Sequence, residues 1–565
     1  MASQEEVQEG PLAPKYRPAK SLPFELSRHC NIYFEEKLYH QALHLLLSLL
    51  SSSTIASGPA FVPTPQQLAV AATLVVHPST TTLAKSRESA QAANTALQLL
   101  RLTNKLVGPL AAKFDVAFAF TRFASSRHGG SRLRDGDSEG ANGTSPDSDT
   151  ALMTMELAQR GSLWFRAEDF WSAVGWAFNC AVLHPKRWSR WRVWLEYMCD
   201  VLEDDWAERE KLIDSSSNGA SSPSTRDALR QSLIFKYIAG TSGVSGQHRR
   251  IIRAIFADGS PGLLNEFKEV FRNELKDPKK DKDHLKRREA DVNVDDDVFG
   301  DYLARDEDDV DEDNDAAYMT RETRPSRPKR SRTTASAPFS NSTEDLNMHP
   351  SYKLSGIAHS GQMTQLGDIS SIALRQRLMQ ILSRVSNALP EDYMEVEHLY
   401  EFFVEFVRPL PLPTFQLLVS CPMLSNFTDN ARSTLCKMIL ELLLHRPRNS
   451  EQTYINQYKL ETYYLPYAAY TNNPIENAKV SILLETLLLL LASNGMLQVQ
   501  PSLQNAIEKG ILARGYKSQS DAKKNLDKMK LDEIGWAWLI ASGDRINYLV
   551  NKLLSTEKEE QSGNE

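Results

Sequence analysis

Seven of the nine tryptophans in this chain lie between Trp164 and Trp206. A buried indole removes on the order of 200 Å² from water. A block this dense therefore belongs in a core, and the rest of the chain has to supply the surfaces that cover it. Within the block, Trp188, Trp191, Leu195, Met198 and Leu202 recur three and four residues apart, which is the spacing of one helix face. The same mixed spacing appears at Ile32, Phe34, Leu38, Leu43, Leu46 and Leu49. No alternating series of the kind that builds hairpins is seen. The predicted fold class is all-α, either helix-pair repeats or an irregular helical bundle.

Composition divides this helical chain in two. Residues 276–367 pass from a basic run through an acidic run to the basic RPSRPKRSR and then to Ser, Thr and Asn. Few large apolar residues occur there, so burial cannot offset the entropy of ordering, and a disordered charged linker is expected. It joins an N-terminal helical domain over 24–275 to a C-terminal helical domain over 368–557. Residues 1–23 and 558–565 read as tails. Within the first domain, 125–149 and 214–224 are rich in Gly, Ser and Asp or Pro, and read as disordered loops. In the second domain the candidate helices include 451–470, 475–494, 500–513, 518–527, 530–541 and 543–555. Asn473-Pro474 opens one of them and Asp429 precedes another, as cap chemistry places them.

The five cysteines, Cys30, Cys180, Cys199, Cys421 and Cys436, are scattered and form no CxxC pair. This argues against a disulfide framework and against a cysteine zinc site. The acidic, polar start MASQEEVQEG is expected to be neither a signal nor a transit peptide. The most apolar run, Ile482 to Ala492, is interrupted by Glu485 and is about half the ~20 residues of a membrane span. It is expected to be a buried helix.

A 34-residue helix–turn–helix template can be laid on 154–187. Gly161, Ala173 and Cys180 then fall where two helices must approach closely, Trp164 fills the gap between them, and Pro185 ends the second helix. The stretch resembles a tetratricopeptide repeat, with weaker echoes at 188–213 and 24–52. Arg160 and Ala177 depart from the pattern, standing where a leucine and an aromatic are common. The resemblance implies packed helix pairs and a role in binding other proteins. Without it, the same tryptophans read as ordinary core.

Lys186, Arg187, Arg190 and Arg192 interleave with tryptophans, and such a mixture can stack and neutralise single-stranded nucleic acid. On a helix, however, the tryptophans share one face and the basic residues point largely elsewhere, which favours packing with a solvated basic side. Arg327, Lys329, Arg330 and Arg332, in RPKRSR, form a candidate nuclear import segment.

No phosphate loop, dinucleotide turn, nucleophile elbow or HExxH pair occurs. His40 and His44 are four apart, but no third metal ligand accompanies them. The acidic pair Asp204-Asp205 beside Arg209 reads as a solvated ion pair. The expectation is a protein without enzymatic activity, cofactor, metal or small-molecule substrate. It would be a scaffold subunit of a nuclear complex, in chromosome maintenance such as DNA repair or in transcription, with other protein subunits as partners. The alternatives are a cytoplasmic location, a nucleic-acid-binding protein using 186–194 and the linker clusters, and an unfamiliar all-α enzyme.

Overall fold

The computed structural model describes residues 16–52, 58–120, 153–216, 223–240, 246–276, 365–420, 428–445, 455–519 and 526–562. Within these residues the chain is all-α. The expected loop at 125–149, most of the linker and the import segment Arg327–Arg332 lie outside them.

The first half runs α1 (Phe24–Glu35), α2 (Tyr39–Ser51), α3 (Pro65–Val76), α4 (Arg87–Leu106), α5 (Phe114–Ala117), α6 (Leu163–Arg166), α7 (Phe170–Leu183), α8 (Pro185–Ser216), α9 (Pro223–Arg230), α10 (Leu233–Ala239), α11 (Gln247–Ile255) and α12 (Pro261–Glu266). The second half runs α13 (Ile369–Ala388), α14 (Val396–Val407), α15 (Leu412–Ser420), α16 (Asp429–Leu443), α17 (Gln457–Lys459), α18 (Pro474–Ser493), α19 (Pro501–Ser518) and α20 (Leu526–Ser562).

Local chemistry explains many of the boundaries. Thr64 and Gln67 close a reciprocal capping box on α3, with Pro65 in its first turn. Asn473 caps α18 through a bond from the Ile475 amide, as its Asn-Pro signature predicts. For α16 the cap is Thr428, one residue before the Asp429 expected from sequence. The apolar run 482–492 lies within α18 as a helix almost wholly buried, and no described helix is long and apolar enough to cross a membrane.

Several expectations need correction. Of the loop expected at 214–224, residues 214–216 continue α8 and 223–224 begin α9. Residues 16–23, read as a tail, belong to the fold. The Arg17 amide donates to Leu106 O at 2.7 Å, and Ala19–Ser21 pairs in parallel with Ala60–Val62. The helices expected at 530–541 and 543–555 are one helix, α20, because Gly543 continues the turn. In α20 a side chain at Gly535 would collide with Pro474 and the Ile475 amide, so this glycine is where α20 crosses the start of α18.

The tryptophan block is the centre of the first half. All seven indoles are at most 5% exposed. Trp171, Trp191 and Trp194 are wholly enclosed, and Trp191 meets Trp194 edge to face at 5.4 Å. The cysteines Cys30, Cys180, Cys199 and Cys436 are buried free thiols.

The described residues of the two halves, those before Asp277 and those after Gly361, fold into one compact unit. Phe178 of α7 lies under the guanidinium of Arg375 in α13 at 4.0 Å. That wholly buried guanidinium donates to Ile255 O, to Ala257 O at 2.9 Å and to Leu366 O at 3.1 Å. It thereby satisfies carbonyls left over at the end of α11. Trp188 Nε1 donates to Asp368 at 3.1 Å, and Arg377 reaches Glu203 and Asp200 of α8 at 2.6 and 2.7 Å. Leu366, expected in the linker, is 1% exposed and belongs to this junction.

His77 ends α3 and caps the short turn Pro78–Thr80, its Nδ1 accepting from the Ser79 amide at 3.3 Å. Burial, then Arg187 and Arg166, push its pKa down to about 4. The neutral ring therefore stabilises the fold above the unfolded value of about 6.5. That stability is lost as pH falls from there toward 4, because the unfolded chain takes up the proton first. At about 1.4 kcal/mol per pH unit the loss approaches 3 kcal/mol. Urea unfolding at pH 7.5 and 4.5 should show this loss in the wild type and much less of it in His77→Asn, which keeps a capping acceptor.

Candidate functional site

The residues singled out in the sequence are mostly structural. Gly161 sits in the turn before α6. Trp164 donates its Nε1 to Ala69 O at 3.0 Å and stacks on Phe118 at 5.0 Å. Ala173 and Cys180 are enclosed in α7, and Pro185 is the first residue of α8. Where the repeat spacing implies a first long helix, the chain makes a 3-10 turn at Glu156–Ala158 and the four-residue α6.

The four basic residues of the tryptophan block do not share a surface. Lys186 is exposed. Arg190 bonds Asn94 at 2.9 Å, and Arg192 pairs with Glu196 at 3.5 Å. Arg187 is 3% exposed, a correction to its reading as a nucleic-acid contact. It pairs with Glu274 and donates to Val76 O at 2.6 Å and Thr81 Oγ1 at 2.9 Å. Glu274 also accepts from Trp191 Nε1 at 2.6 Å, Trp176 Nε1 at 3.1 Å and the Phe271 amide at 3.2 Å. Two tryptophans thus hold the carboxylate that neutralises a buried arginine. Asp205, read as solvated, is likewise buried, bonded to Arg209 at 3.1 Å and to the Leu233 amide at 2.7 Å. Burial raises its pKa. His40 and His44 stack at 4.5 Å, and among the described residues no group of three or more His, Cys, Asp or Glu could hold a metal.

The distinctive surface lies in the second half and was not foreseen. The segment 451–470 was expected to be one helix. Its described part is the short α17, a five-residue π-helix at Leu460–Tyr464, and an irregular run to Asn473. Pro466 is the signal that could have ended the predicted helix, since the residue before a proline is biased away from helical geometry. Wide π-turns are rare and are frequent at functional sites.

This segment presents four tyrosines to solvent. Tyr458, Tyr463, Tyr467 and Tyr470 are 69%, 47%, 45% and 66% exposed. The backbone beneath them is pinned. Tyr464 donates to Glu441 at 3.3 Å, and the Tyr470 amide donates to Leu443 O at 2.8 Å. Buried Asn477 accepts from the Ala469 amide at 2.9 Å and donates to Asn473 O at 3.2 Å. His445, held at a left-handed φ of 51°, stacks on Tyr470 at 4.7 Å. A side chain at Gly510 of α19 would collide with the Leu465 carbonyl, so this glycine is what lets the segment lie directly on that helix.

A groove of about 510 Å³ is lined by Val404, Pro409, Ile475, Glu476, Lys479 and Leu443, whose carbonyl accepts from the Tyr470 amide. Lys479 Nζ donates to Arg408 O, at the end of α14, at 2.5 Å and stands 5.2 Å over the Phe415 ring. Burial pushes this amine down to about 8, with Glu476 opposing the shift. Beneath the tyrosine segment, Arg514 is fully buried. Its Nη1 donates to Leu465 O at 3.0 Å and Tyr467 O at 3.2 Å, while Nε and Nη2 have no partner.

Chemically, the arrangement is a rigid aromatic platform beside a shallow groove. Tyrosine offers a large apolar body and a polar tip at low entropic cost, which suits recognition of another protein. Compared with protein families, curated proteins and solved structures, the chain matches none.

Proposed function

We propose that this chain is a non-enzymatic scaffold subunit of a multi-protein complex, with the tyrosine platform at 458–470 as a docking face for a partner. The observation that carries the reading is the exposure of four tyrosines on a backbone segment fixed by buried bonds. Soluble surfaces seldom cluster large side chains without a binding role, and pre-ordered aromatic faces bind at lower entropic cost. The nucleus is the proposed site of action, in chromosome maintenance such as DNA repair or in transcription. That part rests on the basic segment containing Arg327, Lys329, Arg330 and Arg332. The interleaved basic residues at 186–192 lend less support to nucleic-acid binding, because Arg187 is committed to Glu274.

The tagged full-length protein is expected in the nuclear fraction, eluting well above its 63.6 kDa in a defined complex. Tyr463→Ser/Tyr467→Ser/Tyr470→Ser should weaken partner binding by roughly tenfold or more, with the melting temperature little changed. A cytosolic monomer whose behaviour is indifferent to the triple substitution would overturn the proposal.

A further inference from the structure

The guanidinium of Arg514 is used on one side only. Its Nη1 is spent on the carbonyls of Leu465 and Tyr467, at 3.0 and 3.2 Å. The two nitrogens left without partners, Nε and Nη2, form the side-on edge of the fork. That edge carries two roughly parallel N–H bonds and matches the two oxygens of a carboxylate. No other described side chain leaves two buried nitrogens unpaired. Buried charges are ordinarily paired, and a buried donor without an acceptor is costly enough to require an explanation.

Arg375, the other fully buried arginine, shows what completion looks like. Its three nitrogens all donate, to Ile255 O, Ala257 O, Leu366 O and Ser371 Oγ. Arg514 has the same burial and half the bonding. It lies one layer beneath the tyrosine platform, under the backbone of the residue whose ring, Tyr467, is 45% exposed. The π-helix at Leu460–Tyr464, a turn one residue wider than an α-turn, leads directly into Leu465, whose carbonyl Nη1 holds. The helix that carries Arg514 also offers exposed Lys509 and Lys517 against a single acid, Glu508.

We propose that the Nε/Nη2 edge of Arg514 is the receptor for a carboxylate presented by a partner protein, an Asp or Glu side chain of an acidic peptide docked on the tyrosine platform. This rests on the docking role proposed above for that platform. It adds the chemistry of the partner: acidic, with one carboxylate that pairs with the Nε/Nη2 edge once docking opens this buried side of α19. Arginine rather than lysine is required, because a lysine offers a point charge and no planar fork.

The test uses the full-length protein and a blocked hexaglutamate peptide as probe, with inorganic phosphate and chloride at matched ionic strength as controls. Binding is read by calorimetry and by the shift in melting temperature. The wild type should bind the peptide saturably. Arg514→Met should weaken that binding roughly ten- to hundredfold, and Arg514→Lys should recover little of it. If Arg514→Met fails to fold, Arg514→Lys keeps the charge and decides the matter by the same loss. Equal peptide binding by wild type and Arg514→Lys would overturn the proposal. Phosphate binding as strong as peptide binding would also overturn it, by assigning the edge to small anions rather than to a partner. A native complex that survives Arg514→Met but is lost with the tyrosine substitutions would sink the carboxylate and leave the docking face standing. One that survives both would sink the two together.

Discussion

Glu274→Ala is expected to destabilise the protein by roughly 3–5 kcal/mol, the usual cost of removing one member of a buried ion pair. The carboxylate and Arg187 are 0% and 3% exposed at their side chains, so no water takes the place of the missing partner. The substitution strands the Arg187 guanidinium and also the indole N–H groups of Trp176 and Trp191, which Glu274 accepts at 3.1 and 2.6 Å. Arg187→Met alone should cost a similar amount, because it leaves an uncompensated carboxylate among tryptophans. The double variant Arg187→Met/Glu274→Ala should cost clearly less than the sum of the singles, since neither charge is then buried alone. Urea unfolding of the four proteins checks this. Additive losses would show that the pair is not the coupled unit its geometry describes.

The first half should not fold without the second. Residues 1–277 expressed alone are expected to be insoluble or to bind a hydrophobic dye without a cooperative melt. Co-expression with 361–565 should yield a soluble one-to-one complex melting near the intact protein. Separation uncovers the face of α7 that holds Phe178 and Ala181. It also leaves the carbonyls of Ile255 and Ala257 without the Arg375 donors that satisfy them. Those carbonyls then turn to water and the apolar face is exposed, which invites association. A monomeric first half with a sharp melt of its own would contradict this.

How far these features could be read from the chain depended on whether their cause was local. Period, caps and aromatic density act over a few residues. The helical class, the burial of Trp188, Trp191 and Trp194, and the start of α18 at Asn473-Pro474 followed from them. The end of the helix predicted at 451–470 was also legible, in Pro466, and was missed because the apolar spacing continues through it. The Arg187–Glu274 pair joins positions 87 residues apart, and nothing near either residue marks it. A basic residue among tryptophans reads the same whether it faces solvent or a carboxylate.

Amino-acid order alone therefore determined that the chain forms helices and that the seven tryptophans at 164–206 are core, because backbone propensity and apolar periodicity are properties of neighbours in sequence. Only the tertiary structure decided that the two halves are one unit, that Arg187 is paired rather than available, and that four tyrosines face outward above a half-bonded Arg514. Those outcomes depend on which surfaces meet, since burial and the pairing of charges are set by contacts between segments far apart in the chain.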